Sequence, residues 1–158
     1  MSSKISISAD QVPLRSKPSV YPEPFKSQME GREKRCLSEV FDLENITVNL
    51  TTLEPGAVSA LRHYHSACDE FVYILKGSPT LITDEGKEVL EPGMCCGFKA
   101  GVPNGHHLVN ESDELVLYLE AGDNAPGDSG EYPDDDIRAS LGTHGWEFTH
   151  KDGRAYGE

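Results

Sequence analysis

No stretch of this 158-residue chain carries the roughly eighteen consecutive apolar residues that a membrane-spanning helix requires, so no membrane partner is expected. The opening segment MSSKISISAD lacks the apolar core of a secretion signal, which makes the cytoplasm the expected compartment. Cys36, Cys68, Cys95 and Cys96 are then expected as free thiols rather than disulfides. Positive charge is scarce. The chain has 14 Lys and Arg against 27 Asp and Glu, and a formal charge of −13 repels phosphate backbones, so nucleic acid is not an expected partner. Helical periodicity is missing too, which turns attention to strands.

Residues 1–34 mix Ser, Pro and Lys, and Pro13, Pro18, Pro22 and Pro24 exclude a long helix or a central strand. This segment reads as an extended arm. Across residues 35–122, short runs rich in Val, Ile, Leu, Thr, Phe and Tyr alternate with Gly, Pro, Asp and Asn. Strands are expected near 36–41, 46–53, 58–64, 70–76, 79–84, 87–90, 95–98, 106–110 and 115–120, with a hairpin turn at 84–86. Such spacing predicts an all-β barrel or sandwich with little helix. Residues 123–158 are polar and turn-rich and read as a tail packed on the barrel, anchored by Tyr132, Ile137, Trp146 and Phe148. Asp134, Asp135 and Asp136 read as a solvated turn.

The segment GAVSALRHYHSACDEFVYILKG, residues 56–77, concentrates the chemistry. Side chains alternate faces along a strand, so Leu61, His63 and His65 share one face and Arg62 and Tyr64 the other. Glu70 opens the next strand on the side of Val72 and Ile74, and an antiparallel return would lay it beside the histidines. Burying two imidazoles and a carboxylate unpaired costs several kcal/mol, on the order of 2–7 per polar group. A divalent cation removes that cost, and this donor set suits Fe, Mn, Zn, Ni, Co or Cu while leaving positions open for water or substrate.

Written as a pattern, the stretch is Gly56, six residues, His63-X-His65, four residues, Glu70, six residues, Gly77. It resembles the first motif of the cupin superfamily, whose usual form has one residue fewer between the first glycine and the first histidine. A cupin also carries a second motif of the form G-X5-P-X-G-X2-H-X3-N. Here GFKAGVPNGHHLVN, residues 97–110, stands in its place, with Lys99 where cupins commonly have proline and Asn104 where the ligand histidine often stands. If Asn104-Gly105 is an insertion, His106 and Asn110 restore the H-X3-N spacing and His106 is the fourth ligand. Asn104 is the second choice and His107 the third. His106 is preferred because a site of two imidazoles and a carboxylate gains more from a nitrogen than from a neutral amide.

The resemblance spans about residues 40–122 and implies a double-stranded β-helix, or jelly-roll, with one divalent metal inside the barrel and substrate entering from its open mouth. The metal ligands it implies are His63, His65, Glu70 and His106. The implied function is a mononuclear metal-dependent enzyme acting on a small molecule, either a dioxygenase or an isomerase or lyase, with Glu70 able to loosen from the metal and serve as catalytic base. The competing reading is a non-catalytic sensor module that binds a small ligand or a metal; a metal-free epimerase-type cupin is a third. By analogy with arms that pair with a neighbouring sheet, a homodimer is expected. Cys68, beside the motif, reads equally as a ligand or a partly buried bystander, and Arg62 and Lys99 are the basic groups nearest the proposed mouth.

Overall fold

β-Branched and aromatic residues recur at alternate positions in ITVNLTTL and EFVYILK, and both segments are strands with one buried face. The structure is a computed structural model and describes residues 5–17 and 19–156. Its strands are β1 (Arg32–Cys36), β2 (Ile46–Leu53), β3 (Tyr64–His65), β4 (Glu70–Lys76), β5 (Thr80–Thr83), β6 (Gly86–Val89), β7 (Cys95–Phe98), β8 (His107–Val109), β9 (Val116–Asp123), β10 (Ser129–Glu131), β11 (Arg138–Gly142) and β12 (Gly145–Thr149). The helical content among the described residues is three short 3-10 turns, at Ala9–Gln11, Ser27–Met29 and Glu39–Phe41. Among the described residues, no helix is long and apolar enough to cross a membrane.

All pairings are antiparallel, in sheets of order β1-β2-β9-β4-β7, β6-β5-β8 and β12-β11-β10-β3. Isolated bridges from Val58 to Val109 and from His63 to His106 join the segment before β3 to β8. The main core is built from alternate residues of facing sheets: Leu53, Val72, Ile74, Val116 and Tyr118 from the five-stranded sheet against Leu81 and Leu108. Gly77 ends β4 at a φ of +77°, and a Cβ there would lie 2.7 Å from the Leu115 carbonyl oxygen, so this corner admits only glycine.

The expected strand at 36–41 forms instead over Arg32–Cys36 and is followed by the turn at Glu39–Phe41. The Ser38 hydroxyl accepts the Val48 N–H at 3.1 Å, and the Leu37 and Ser38 N–H groups both donate to the Val48 carbonyl, which bends the chain out of the sheet. The segment expected as a strand at 58–64 is mostly irregular. There the Ser59 hydroxyl takes the Leu108 N–H and the Ser59 carbonyl takes the Arg32 guanidinium, so side chains replace part of the ladder.

The residues after 122 fold as a β-meander whose first strand, β10, pairs with β3. Tyr132, Ile137 and Ala139 pack there with Leu61 and with Phe25 and Met29 of the N-terminal segment, and Trp146 and Phe148 lie against the same cluster. The N-terminal segment is thus docked on its own chain's barrel: Val12 is buried, its carbonyl accepts from the Arg35 guanidinium, and the Arg15 N–H donates to the Lys34 carbonyl at 2.8 Å.

Candidate metal centre

His63 and His65 flank the start of β3, Glu70 opens β4, and His106 immediately precedes β8. The β10–β3 pairing and the His63–His106 bridge bring these segments together. His63, Glu70 and His106 offer ligand atoms that all lie within 4.8 Å of one another. His65 joins them, with its Nε2 at 3.2 Å from His63 Nε2 and 3.5 Å from Glu70 Oε1. All four side chains line one cavity of about 530 Å³.

The outward nitrogens decide what the inward ones can do. His63 Nδ1–H donates to the Leu61 carbonyl at 2.7 Å, and His65 Nδ1–H donates to Asp128 Oδ2 at 2.5 Å. With Nδ1 the donor on each ring, the Nε2 atoms are the ones turned to the centre, and they face each other at 3.2 Å. His106 Nε2 and Glu70 Oε2 stand 2.6 Å apart, a separation that requires a shared proton or cation.

Protonation states favour the cation. Burial pulls His63 down to about 4 against the attraction of the Glu70 charge, so the ring is neutral at pH 7. Burial alone would raise Glu70, but the hydrogen bond with His106 and the fields of the three histidines outweigh it and bring the carboxyl to about 2. A neutral imidazole and an anionic carboxylate converging with two further imidazoles form a donor set that suits a divalent transition metal.

Each imidazole is walled by an aromatic ring. Tyr132 stacks on His63 with centroids 5.7 Å apart, Trp146 meets His65 edge-on at 5.8 Å, and Phe98 stacks on His106 at 3.5 Å. Behind His65, the buried Asp128 also accepts the N–H groups of Ala67 at 2.8 Å and Cys68 at 3.3 Å. These bonds, the Ala67 one foremost, hold its carboxyl below the usual range in spite of burial.

The other candidates lie elsewhere. Asn104 turns its amide oxygen to the Asp84 N–H at 2.9 Å, and His107 Nδ1–H donates to the Ala60 carbonyl at 2.9 Å. Asn110 is fully buried and bonds the Leu53 and Glu114 carbonyls, a latch for the turn before β9. The Cys68 thiol is pushed up to about 12, chiefly by burial, which disfavours the thiolate. Arg62 is engaged by Asp134 and Asp84, and Lys99 is exposed. Asp136 accepts from His150 and from the Lys151 N–H, so Asp134 and Asp136 serve contacts within the chain.

Comparison with known proteins agrees with this fold. A family model described as a cupin domain matches residues 49–122. The crystal structure of a sugar phosphate isomerase from a cupin superfamily, from Silicibacter pomeroyi DSS-3, is 39% identical, with a TM-score of 0.90 and 95% of each chain covered. The chain belongs to the cupin superfamily. A provisionally named sugar phosphate isomerase from Acidithiobacillus ferrooxidans ATCC 23270 is 26% identical to this cupin, with a TM-score of 0.71 over 77% of each chain. The polyketide cyclase RemF of Streptomyces resistomycificus, 17% identical at a TM-score of 0.63, covers 78% of this cupin and 82% of its own chain and shares the fold. No curated protein sequence matches the chain.

Asp128, Tyr132 and Trp146 are the parts of this cupin's site that sequence reading missed. Tyr132 and Trp146 stood out only as apolar anchors. Asp128 lies in a polar run, APGDSGE, whose composition gave no sign that one of its carboxylates is buried.

Proposed function

We propose that this cupin is a metal-dependent isomerase acting on a small sugar phosphate, with His63, His65, Glu70 and His106 holding one divalent ion. The observation that carries the reading is the convergence of donor atoms: two Nε2 atoms 3.2 Å apart beside the ionised Glu70 carboxylate, which stands 2.6 Å from His106 Nε2. The substrate class is taken from the Silicibacter pomeroyi protein, whose likeness extends over 95% of both chains. A cavity of about 530 Å³ is of a size for such a molecule.

When bound, a divalent ion would supply Lewis-acid stabilisation to the substrate's carbonyl and enediolate oxygens. The chain's residues do the rest. Asp128 fixes the His65 ring, Phe98, Tyr132 and Trp146 flank the imidazoles, and Glu70, once loosened from the ion, is the base that takes the proton from the carbon beside the carbonyl and returns it to the carbonyl carbon, while the hydroxyl proton of the former carbon passes to the carbonyl oxygen. Elemental analysis of protein purified without added metal, followed by an aldose–ketose assay on pentose and hexose phosphates, tests this. Metal near one equivalent with interconversion that His63→Ala and Glu70→Ala abolish is the expected result. Oxygen uptake in place of interconversion would make the chain a dioxygenase, and tight ligand binding without turnover would make it a sensor module.

A homodimer is also proposed. Phe71, Tyr73 and Leu75 are exposed on the outer face of β4, and the register puts Leu119 and Leu50 in line with Tyr73. An apolar row of this length on a water-facing sheet suits burial against a second copy. Sedimentation of the wild type and of Tyr73→Lys tests it: a wild-type dimer that the variant dissociates is expected, and a wild-type monomer rules it out.

A further inference from the structure

Arg15, Arg32 and Lys34 line the same cavity as the four candidate ligands. In a chain of formal charge −13, three cations on one cavity wall are a departure from the general field. Arg32 and Lys34 alternate on the cavity-facing side of β1, and the bond from the Arg15 N–H to the Lys34 carbonyl sets the third cation beside them. Arg15 has no ion-pair partner among the described residues, Arg32 donates to the Ser59 carbonyl at 2.6 Å, and Lys34 pairs with Glu120. Asp69, Glu70, Asp123 and Asp128 line the rest of the cavity, but on the β1 wall Arg15 and Arg32 have no carboxylate partner among the described residues, and two such cations match a phosphate monoester dianion.

The neighbouring wall is polar. On the cavity-facing side of β2 and β9, Lys34 is level with Thr51 and Tyr118, and Asn49 is level with Glu120. The Asn49 amide donates to Glu120 at 3.0 Å, so the one carboxylate on this wall is shared between Asn49 and Lys34. The five-stranded sheet places β1 three strand spacings, roughly 14 Å, from the Glu70 end of β4. Tyr21 lines the same cavity.

We infer that Arg15, Arg32 and Lys34 form an anion subsite that grips the phosphate of a polyhydroxylated substrate, while its carbonyl end lies at the histidine cluster. The subsite rests on the sugar phosphate reading, yet it can be probed with the metal removed. Chelator-treated full-length protein is titrated calorimetrically with ribose 5-phosphate, ribose and inorganic phosphate, using wild type, Arg15→Gln and Arg32→Gln. Ribose 5-phosphate is expected to bind more than about tenfold tighter than ribose, and each substitution is expected to weaken both phosphate-bearing probes about tenfold.

Arg15→Gln is the cleaner variant, because the Arg15 side chain makes no hydrogen bond or ion pair among the described residues, and its melting temperature and metal content should match wild type. Equal binding of ribose and ribose 5-phosphate, no binding of either phosphate-bearing probe to wild type, or unchanged phosphate affinity in both variants would overturn the subsite. Phosphate binding that the variants lose, in a metal-loaded protein that interconverts no sugar phosphate, would leave the subsite standing and remove the isomerase reading instead.

Discussion

Asp128 holds His65 from behind, its Oδ2 2.5 Å from Nδ1, although 63 residues separate them in the chain. The carboxylate fixes the proton on Nδ1 and leaves Nε2 free for the centre. An amide in place of this carboxylate would still accept the Ala67 N–H through its oxygen but would present an N–H₂ to His65, which would move the ring proton to Nε2. Asp128→Asn is therefore expected to weaken metal binding by about 10–100-fold with little change in fold, as measured by chelator competition and circular dichroism. Unchanged affinity would mean that His65 is not a ligand.

The four candidate ligands are expected to separate clearly from their neighbours. His63→Ala, His65→Ala, Glu70→Ala and His106→Ala should each sharply reduce the metal carried through purification, because each removes a converging donor. Asn104→Ala and His107→Ala should retain it, since their side chains bond Asp84 and Ala60. Metal analysis of the six variants decides the ranking, and a greater loss in His107→Ala than in His106→Ala would relocate the fourth ligand.

Much of the fold was legible because the period of apolar residues in strands such as Ile46–Leu53 and Glu70–Lys76 is set by burial on one face, and that pattern is local. Alternation put His63 and His65 on one face, and Glu70, on the next strand, joined them through an expected antiparallel return and the likeness to the first cupin motif. The second motif was harder. Asn104-Gly105 lengthens the turn, and only the bridge between His63 and His106 fixes which residue comes inward. Asp128 and Trp146 were illegible because their place depends on β10 pairing with β3, a long-range contact with no signature in a polar segment.

That pairing makes the C-terminal meander part of the site, and its core should matter for both stability and binding. Ile137 is fully buried among Tyr132, Leu61 and Phe25, so Ile137→Ala should lower unfolding free energy by about 2–4 kcal/mol. Urea denaturation measures the loss. A change of a few tenths would show that the meander is loosely attached and does not fold with the barrel.

Thiol reactivity offers a test of burial around the site. The Cys68 thiol is held up to about 12 and Cys96 to about 11, in both cases mainly by burial, whereas Cys95 is exposed on the other face of β7. A raised thiol pKa leaves little thiolate at mildly alkaline pH, and only thiolate reacts with a disulfide reagent. Cys95 is expected to label quickly in the native protein, while Cys68 and Cys96 wait for unfolding. Fast native labelling of Cys68, located by peptide mass, would contradict the packing between the His65 loop and Ala125.

Trp146 is the single tryptophan of the chain and meets the His65 ring edge-on at 5.8 Å, so its emission reports on the proposed centre without any label. A paramagnetic ion such as Cu²⁺ or Ni²⁺ bound at His65 would lie close enough to quench that emission, whereas Zn²⁺, which is diamagnetic, would change it far less. Titration of chelator-treated protein should give saturable quenching at one equivalent of Cu²⁺ or Ni²⁺, and Glu70→Ala should shift it to much higher concentration because the carboxylate supplies the only negative charge among the four donors. Tight binding by metal analysis with undisturbed Trp146 emission would place the ion away from His65, and with it would fall the role assigned to Asp128.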